Sequence, residues 1–251
     1  IATGPAGALA VCLAYARWPR GLDVRDGRHD RGRNGATLSE AWLASDDWFK
    51  QRELSIDSRF RETGLMLDTA RLLRSHGVRD VYPEISAPTE EGLIRTPDPS
   101  QLESFLYAFA DLRVLPRVSG TFAEFRCDDP RWRRIFQVNT VRFLGNHPRL
   151  AGIQLAVHSV PAGNADFLAL LDEMKAGFPE GRTLSVAVSD AWPGDYLCEV
   201  SKRVPQLCLT PAVAPAIVAK LAEERWSKEA AGLFAAVLLP SSLVCTASPA
   251  S

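Results

Sequence analysis

The stretch Asp128 to Val188 reads DDPRWRRIFQVNTVRFLGNHPRLAGIQLAVHSVPAGNADFLALLDEMKAGFPEGRTLSVAV, and its punctuation decides the fold. Asp129-Pro130 is a helix start, a capping carboxylate followed by a ring whose fixed φ suits the first turn. Trp132, Ile135, Phe136 and Phe143 supply the buried side of that helix, and Gly145-Asn146 ends it. Gly152 to His158 (GIQLAVH) follows as a strand, mostly apolar, as expected where both faces of a sheet are covered. Asn164 caps a second helix with the stripe Phe167, Leu170, Leu171 and Met174, and Leu184 to Val188 is the next strand. Helices between short apolar strands imply βαβ units and a parallel sheet.

The same rhythm extends in both directions. Upstream, a helix is expected from about Asp57 to His76, with Met66, Leu67, Ala70 and Leu73 on one face and Gly77 as its cap. Val78 to Ile85 (VRDVYPEI) is the second strand. Asp98-Pro99 repeats the helix-start device ahead of Leu102, Phe105, Leu106 and Phe109, and Leu112 to Val118 is the third strand. The first strand is placed at Ala36 to Leu43. Downstream the pattern weakens: a short helix over Asp195 to Val204, a sixth strand over Gln206 to Leu209, a helix over Ala212 to Trp226 and a seventh strand over Leu233 to Leu239. The expected architecture is a (β/α)8 TIM-type barrel, incomplete at about seven strands. It occupies residues 36–240, between an N-terminal segment, 1–35, and a disordered tail, 241–251.

Bulk properties are those of an ordinary globular chain. Its 251 residues carry a net charge of -1, so nothing suggests nucleic acid as a partner, and a monomer is expected. Cys12, Cys127, Cys198, Cys208 and Cys245 are scattered without a C-x-x-C pair, which argues against a zinc site or a disulfide framework and for small buried apolar roles. The chain opens on Ile1, which suggests a processed form or a piece of a longer frame. Gly7 to Tyr15 reads as the remnant of a signal peptide or membrane anchor, or equally as a short apolar piece packed on the domain. In the first case the protein is exported or membrane-anchored. Glycine-rich phosphate signatures are absent, and no cofactor is expected.

The central stretch resembles bacterial, chitinase-like proteins of the glycoside hydrolase family 18 type. There an HPR-x-x-G approach (here His147 to Gly152) leads into a strand ending in D/N-x-E-P-x-P-x-G, followed by a DFLALLDE helix and an LSVA strand; Arg17 to Gly35 is similar to the segment that precedes the barrel. The resemblance implies a site at the C-terminal strand ends, where a Glu protonates the leaving oxygen and a nearby Asp positions the substrate's N-acetyl group. Pro161 and Gly163 match the motif. The Glu position, however, is His158, the Asp/Asn position is Ala156, and Ser159 replaces a proline. Leu209-Thr210-Pro211 stands where the family carries a Tyr-Asp pair, and its closing Trp has no counterpart.

The resemblance therefore implies a barrel impaired in hydrolysis that at most binds a glycan. His158 reads either as a general acid, since a free imidazole titrates near 6.5, or as a histidine that merely occupies a strand end. Glu84 and Asp190 follow strands on the loop face and form a candidate carboxylate pair flanking a ligand, or else are solvated. Trp42 and Trp192 are read as a sugar-stacking platform, with core packing as the competing role. Two further readings stay open. One is an active glycosidase on β-linked N-acetylglucosamine-type glycans using relocated carboxylates; the other is a non-binding scaffold or fragment.

Overall fold

The computed structural model describes residues 34–189 and 191–209 together with the strand 243–247. Eight strands form one sheet: β1 (Asn34–Leu38), β2 (Val78–Ile85), β3 (Arg113–Val114), β4 (Arg117–Thr121), β5 (Gly152–His158), β6 (Thr183–Ala187), β7 (Gln206–Leu209) and β8 (Leu243–Ala247). All pairings among β1 to β7 are parallel, and helices alternate with the strands. Among the described residues the result is an incomplete (β/α) barrel. β3 and β4 both pair with β2 and are two halves of one strand position, so β1 to β7 fill six positions.

Local chemistry explains the helix starts. The helices are α1 (Asp46–Gln51), α2 (Thr63–Ser75), α3 (Pro99–Ala108), α4 (Pro130–Asn146), α5 (Ala165–Gly177) and α6 (Gly194–Ser201). Asp98 accepts from the backbone N–H of Gln101 at 2.9 Å, Asp129 from that of Arg131 at 2.8 Å, and Asn164 from that of Phe167 at 2.8 Å. Each satisfies a donor that the first helical turn leaves unpaired. The apolar stripes then face the sheet. Phe105 of α3, Phe136 of α4 and Phe167 of α5 are wholly buried against a core that includes Ile153, Leu155 and Val157 of β5. Each such side chain stabilises the fold by about 1.5–3 kcal/mol.

Several expectations are corrected. β1 ends at Leu38, because Ser39 turns the chain into a 3-10 turn over Glu40–Trp42. The second helix starts at Thr63, since Asp57 caps a separate 3-10 turn over Ser58–Phe60. The third strand is split at Leu115-Pro116, where proline brings no N–H to the ladder. Leu243–Ala247, expected within a loose tail, pairs antiparallel with both β7 and β1. The helix expected over 212–226 and the strand over 233–239 lie outside the described residues, as does the segment 1–33. Among the described residues no helix is long and apolar enough to cross a membrane.

Candidate functional site

A strand's side chains alternate between faces, so β5 sends Ile153, Leu155 and Val157 toward the helices and Gln154, Ala156 and His158 toward the barrel axis. The same alternation puts Asp80, Tyr82 and Glu84 of β2, Arg117 and Ser119 of β4, Ser185 of β6, and Gln206 and Cys208 of β7 on the axial side. Barrel interiors are ordinarily filled with branched aliphatic residues. This one is hydrogen-bonded. Gln206 Nε2 donates across the barrel to Asp80 Oδ2 and to Tyr82 Oη, each at 2.8 Å. Arg113 Nη1 donates to Asp80 Oδ1 at 3.0 Å while its Nη2 reaches Thr183 Oγ1 at 2.6 Å. Gln154 Nε2 donates to Cys208 Sγ at 2.8 Å.

Burial controls the charges inside. Desolvation pushes the Tyr82 phenol well up and the Cys208 thiol up to about 12. Arg117 is moved the other way: burial lowers its pKa, with the Glu84 carboxylate opposing that shift. Cys127, also desolvated, is pushed up to about 12. Because the thiolate is the reactive form, Cys127 and Cys208 are expected to resist an aromatic disulfide reagent at pH 8 in the native protein. Both should react once urea unfolds the chain, whereas the half-buried Cys198 reacts first. Mass mapping of the modified peptides checks this.

The upper rim carries the remaining candidates. His158 ends β5 exposed to solvent, beside Thr121 of β4, and its Nε2 lies 3.1 Å from Ser119 Oγ. Ala156, one step down the same face, is 1% exposed and adds only a methyl group. Glu84 ends up half-buried next to Arg117 in the β2–β4 register. Asp190 lies outside the described residues. The tryptophans expected as a stacking platform are core residues instead. Trp42 packs edge-on against Phe60, Phe105 and Phe109. Trp192 is fully buried and its Nε1 donates to Val160 O at 3.1 Å.

A further tryptophan stands at the rim. Trp48 of α1 lines a cleft of about 340 Å³ with Glu40, Ser45, Glu84, Ser86 and Asp98. Its Nε1 is buried without a hydrogen-bond partner among the described residues, and the Arg52 guanidinium covers its ring at 4.3 Å. Ser86 donates to Glu40 on the cleft wall. Bonds to Ser100 and the Gln101 N–H hold the Asp98 carboxyl below its usual range. The signal that could have found this cleft was the pair Ser45 and Trp48 shortly after the first strand's turn, on the loop face.

Solved structures share this architecture. A chitinase from Bacteroides thetaiotaomicron superposes with a TM-score of 0.50 at 14% identity, over 71% of this chain and 54% of that one. The spore cortex-lytic enzyme SleL of Bacillus cereus gives 0.51 at 12% identity, over 75% of this chain and 47% of that one. The fold is that of the chitinase-like glycoside hydrolases. No protein-family model and no curated protein matches the sequence. The chain spans about half the length of these two neighbours. On the chitinase-like frame the His158 end of β5 faces the C-terminal rim, the side on which barrel enzymes assemble their sites.

Proposed function

We propose that this chitinase-like barrel binds a glycan and does not hydrolyse it. The observation that carries the reading is the pair Ala156 and His158 on the axial face of β5, where the resemblance calls for an orienting acid and a proton-donating acid. Cleaving a glycosidic bond needs a carboxylic acid held protonated beside the leaving oxygen, and neither position supplies one. The cleft beside Glu84 supports binding: its carboxylates and hydroxyls suit the hydroxyl groups of a sugar. Chito-oligosaccharides are the first ligands to test, because a structural neighbour is a chitinase.

Calorimetric titration with chitohexaose should give saturable binding that weakens at least about tenfold in Glu84→Ala, the loss of roughly one charge-assisted hydrogen bond. Mass spectrometry of the same sugar after prolonged incubation should show no shorter products. Chitohexaose cleavage that disappears in His158→Ala would overturn the reading. Cleavage that survives that change but disappears in Glu84→Gln would establish a hydrolase with a relocated carboxylate.

A further inference from the structure

We propose that Ser119 and His158 form a nucleophile–base pair on the barrel rim that accepts small acyl esters. The proposal does not rest on glycan binding. It starts from register: β4 and β5 pair Ser119 with Ala156 and Thr121 with His158. Period-two alternation therefore puts the Ser119 hydroxyl and the His158 ring on one face, a single step apart along the strands. Their 3.1 Å separation, Oγ to Nε2, is within the range of an activated hydroxyl and its base. With the ring proton on Nδ1, Nε2 accepts from the hydroxyl. Ala156, opposite Ser119 on β5, adds only a methyl group, and His158 is exposed, so the pair is reached from the rim.

A carboxylate stands near the pair. Glu124 is fixed by Thr121, whose N–H and Oγ1 both donate to Oε2, at 2.6 and 2.8 Å. These bonds hold its carboxyl below the ordinary range, and it lies within electrostatic reach of His158. Gly120 makes room for it: a Cβ there would stand 3.2 Å from Glu124 Oε2 and 2.8 Å from the Ala87 methyl.

The step balances without a co-reactant other than water. Ser119 Oγ bonds to the acyl carbon as its proton passes to His158 Nε2. The carbon–oxygen bond to the alcohol then breaks, and the imidazolium returns the proton to the departing oxygen. Water, deprotonated by His158, repeats the sequence on the acyl-serine and releases the acid. An ester fits better than an amide, because an alkoxide leaves more readily than an amine that must first be protonated.

The test is a fluorophosphonate probe on the purified full chain, read by intact mass and peptide mapping. One probe per chain on Ser119 is expected, none in Ser119→Ala, and labelling slowed by about 100-fold in His158→Gln, the usual scale of a lost general base. 4-Nitrophenyl acetate should release a burst of one nitrophenolate per chain. Absence of label on Ser119, or a rate unchanged by His158→Gln, overturns the proposal. Should Ser119→Ala fail to fold, Ser119→Cys replaces it. Alkylation of that thiol should slow at least about tenfold when His158→Gln is added, and equal rates overturn the idea. The glycan reading survives either result, since no sugar enters the assay.

Discussion

Gly152→Ala is expected to destabilise the protein by about 3 kcal/mol, the upper range for overpacking a core site. Gly152 opens β5 and pairs with Thr183 at the base of β6. A Cβ at this position would stand 1.9 Å from the Thr183 carbonyl oxygen and 2.7 Å from its nitrogen. Those are backbone atoms held in the sheet, where Thr183 N also donates to Ala151 O at 2.9 Å, so no side chain is free to move aside. Relief requires prying β5 from β6. Urea unfolding should show a lower midpoint with an unchanged slope, because stability changes and the surface exposed on unfolding does not. Gly145→Ala is the control. A Cβ there meets nothing within 4 Å in α4, and removing glycine from a helix should stabilise by about 0.5 kcal/mol.

Asp80→Ala is expected to cost a similar amount, about 3 kcal/mol, for an electrostatic reason. The Asp80 side chain is 2% exposed and receives Arg113 and Gln206 together. Removing the carboxylate leaves the Arg113 guanidinium without its counter-charge, held only by Thr183, and takes from the buried Gln206 amide one of its two acceptors, Tyr82 remaining. The range for breaking a buried ion pair reaches 5 kcal/mol, but Arg113 retains 32% exposure and recovers part of its hydration, which selects the lower end. For a domain of this size the loss corresponds to a fall in melting temperature of roughly 6–12 °C. Adding Arg113→Leu to Asp80→Ala should recover part of that fall, since the uncompensated charge goes with the arginine. A double variant as unstable as the sum of its parts would show that the pair does not act as a unit.

Much of this fold is legible because its strands are bounded by residues that cannot continue them. Gly77 precedes β2, Pro205 precedes β7, and Gly152 begins β5, and all three strands fall where the sequence reading places them. Asp98-Pro99, Asp129-Pro130 and Asn164 mark helix starts as reliably, since capping is a local contact. What was not legible is tertiary. GIQLAVH reads as apolar because five of its residues are, yet Gln154 and His158 share the axial face with Asp80, Tyr82 and Gln206 from strands far away in the chain. Trp42 and Trp192 invite a ligand reading from position alone, and only packing shows their indoles enclosed. Trp48 both packs on Phe49 and lines the rim cleft, and a helical position by itself says nothing about which way its face opens.

The polar interior has one more consequence, for alignment of the strands during assembly. Sliding a strand by one residue turns its apolar side outward and is strongly penalised. A slide by two keeps every greasy residue facing the helices, so the hydrophobic pattern is blind to it. Directional contacts are not blind. Moved by two residues, β7 would withdraw Gln206 from Asp80 and Tyr82 and Cys208 from Gln154, leaving desolvated donors with nothing to reach. The central hydrogen bonds thus act as an indexing key, accepting only one of the several settings that greasiness alone would permit.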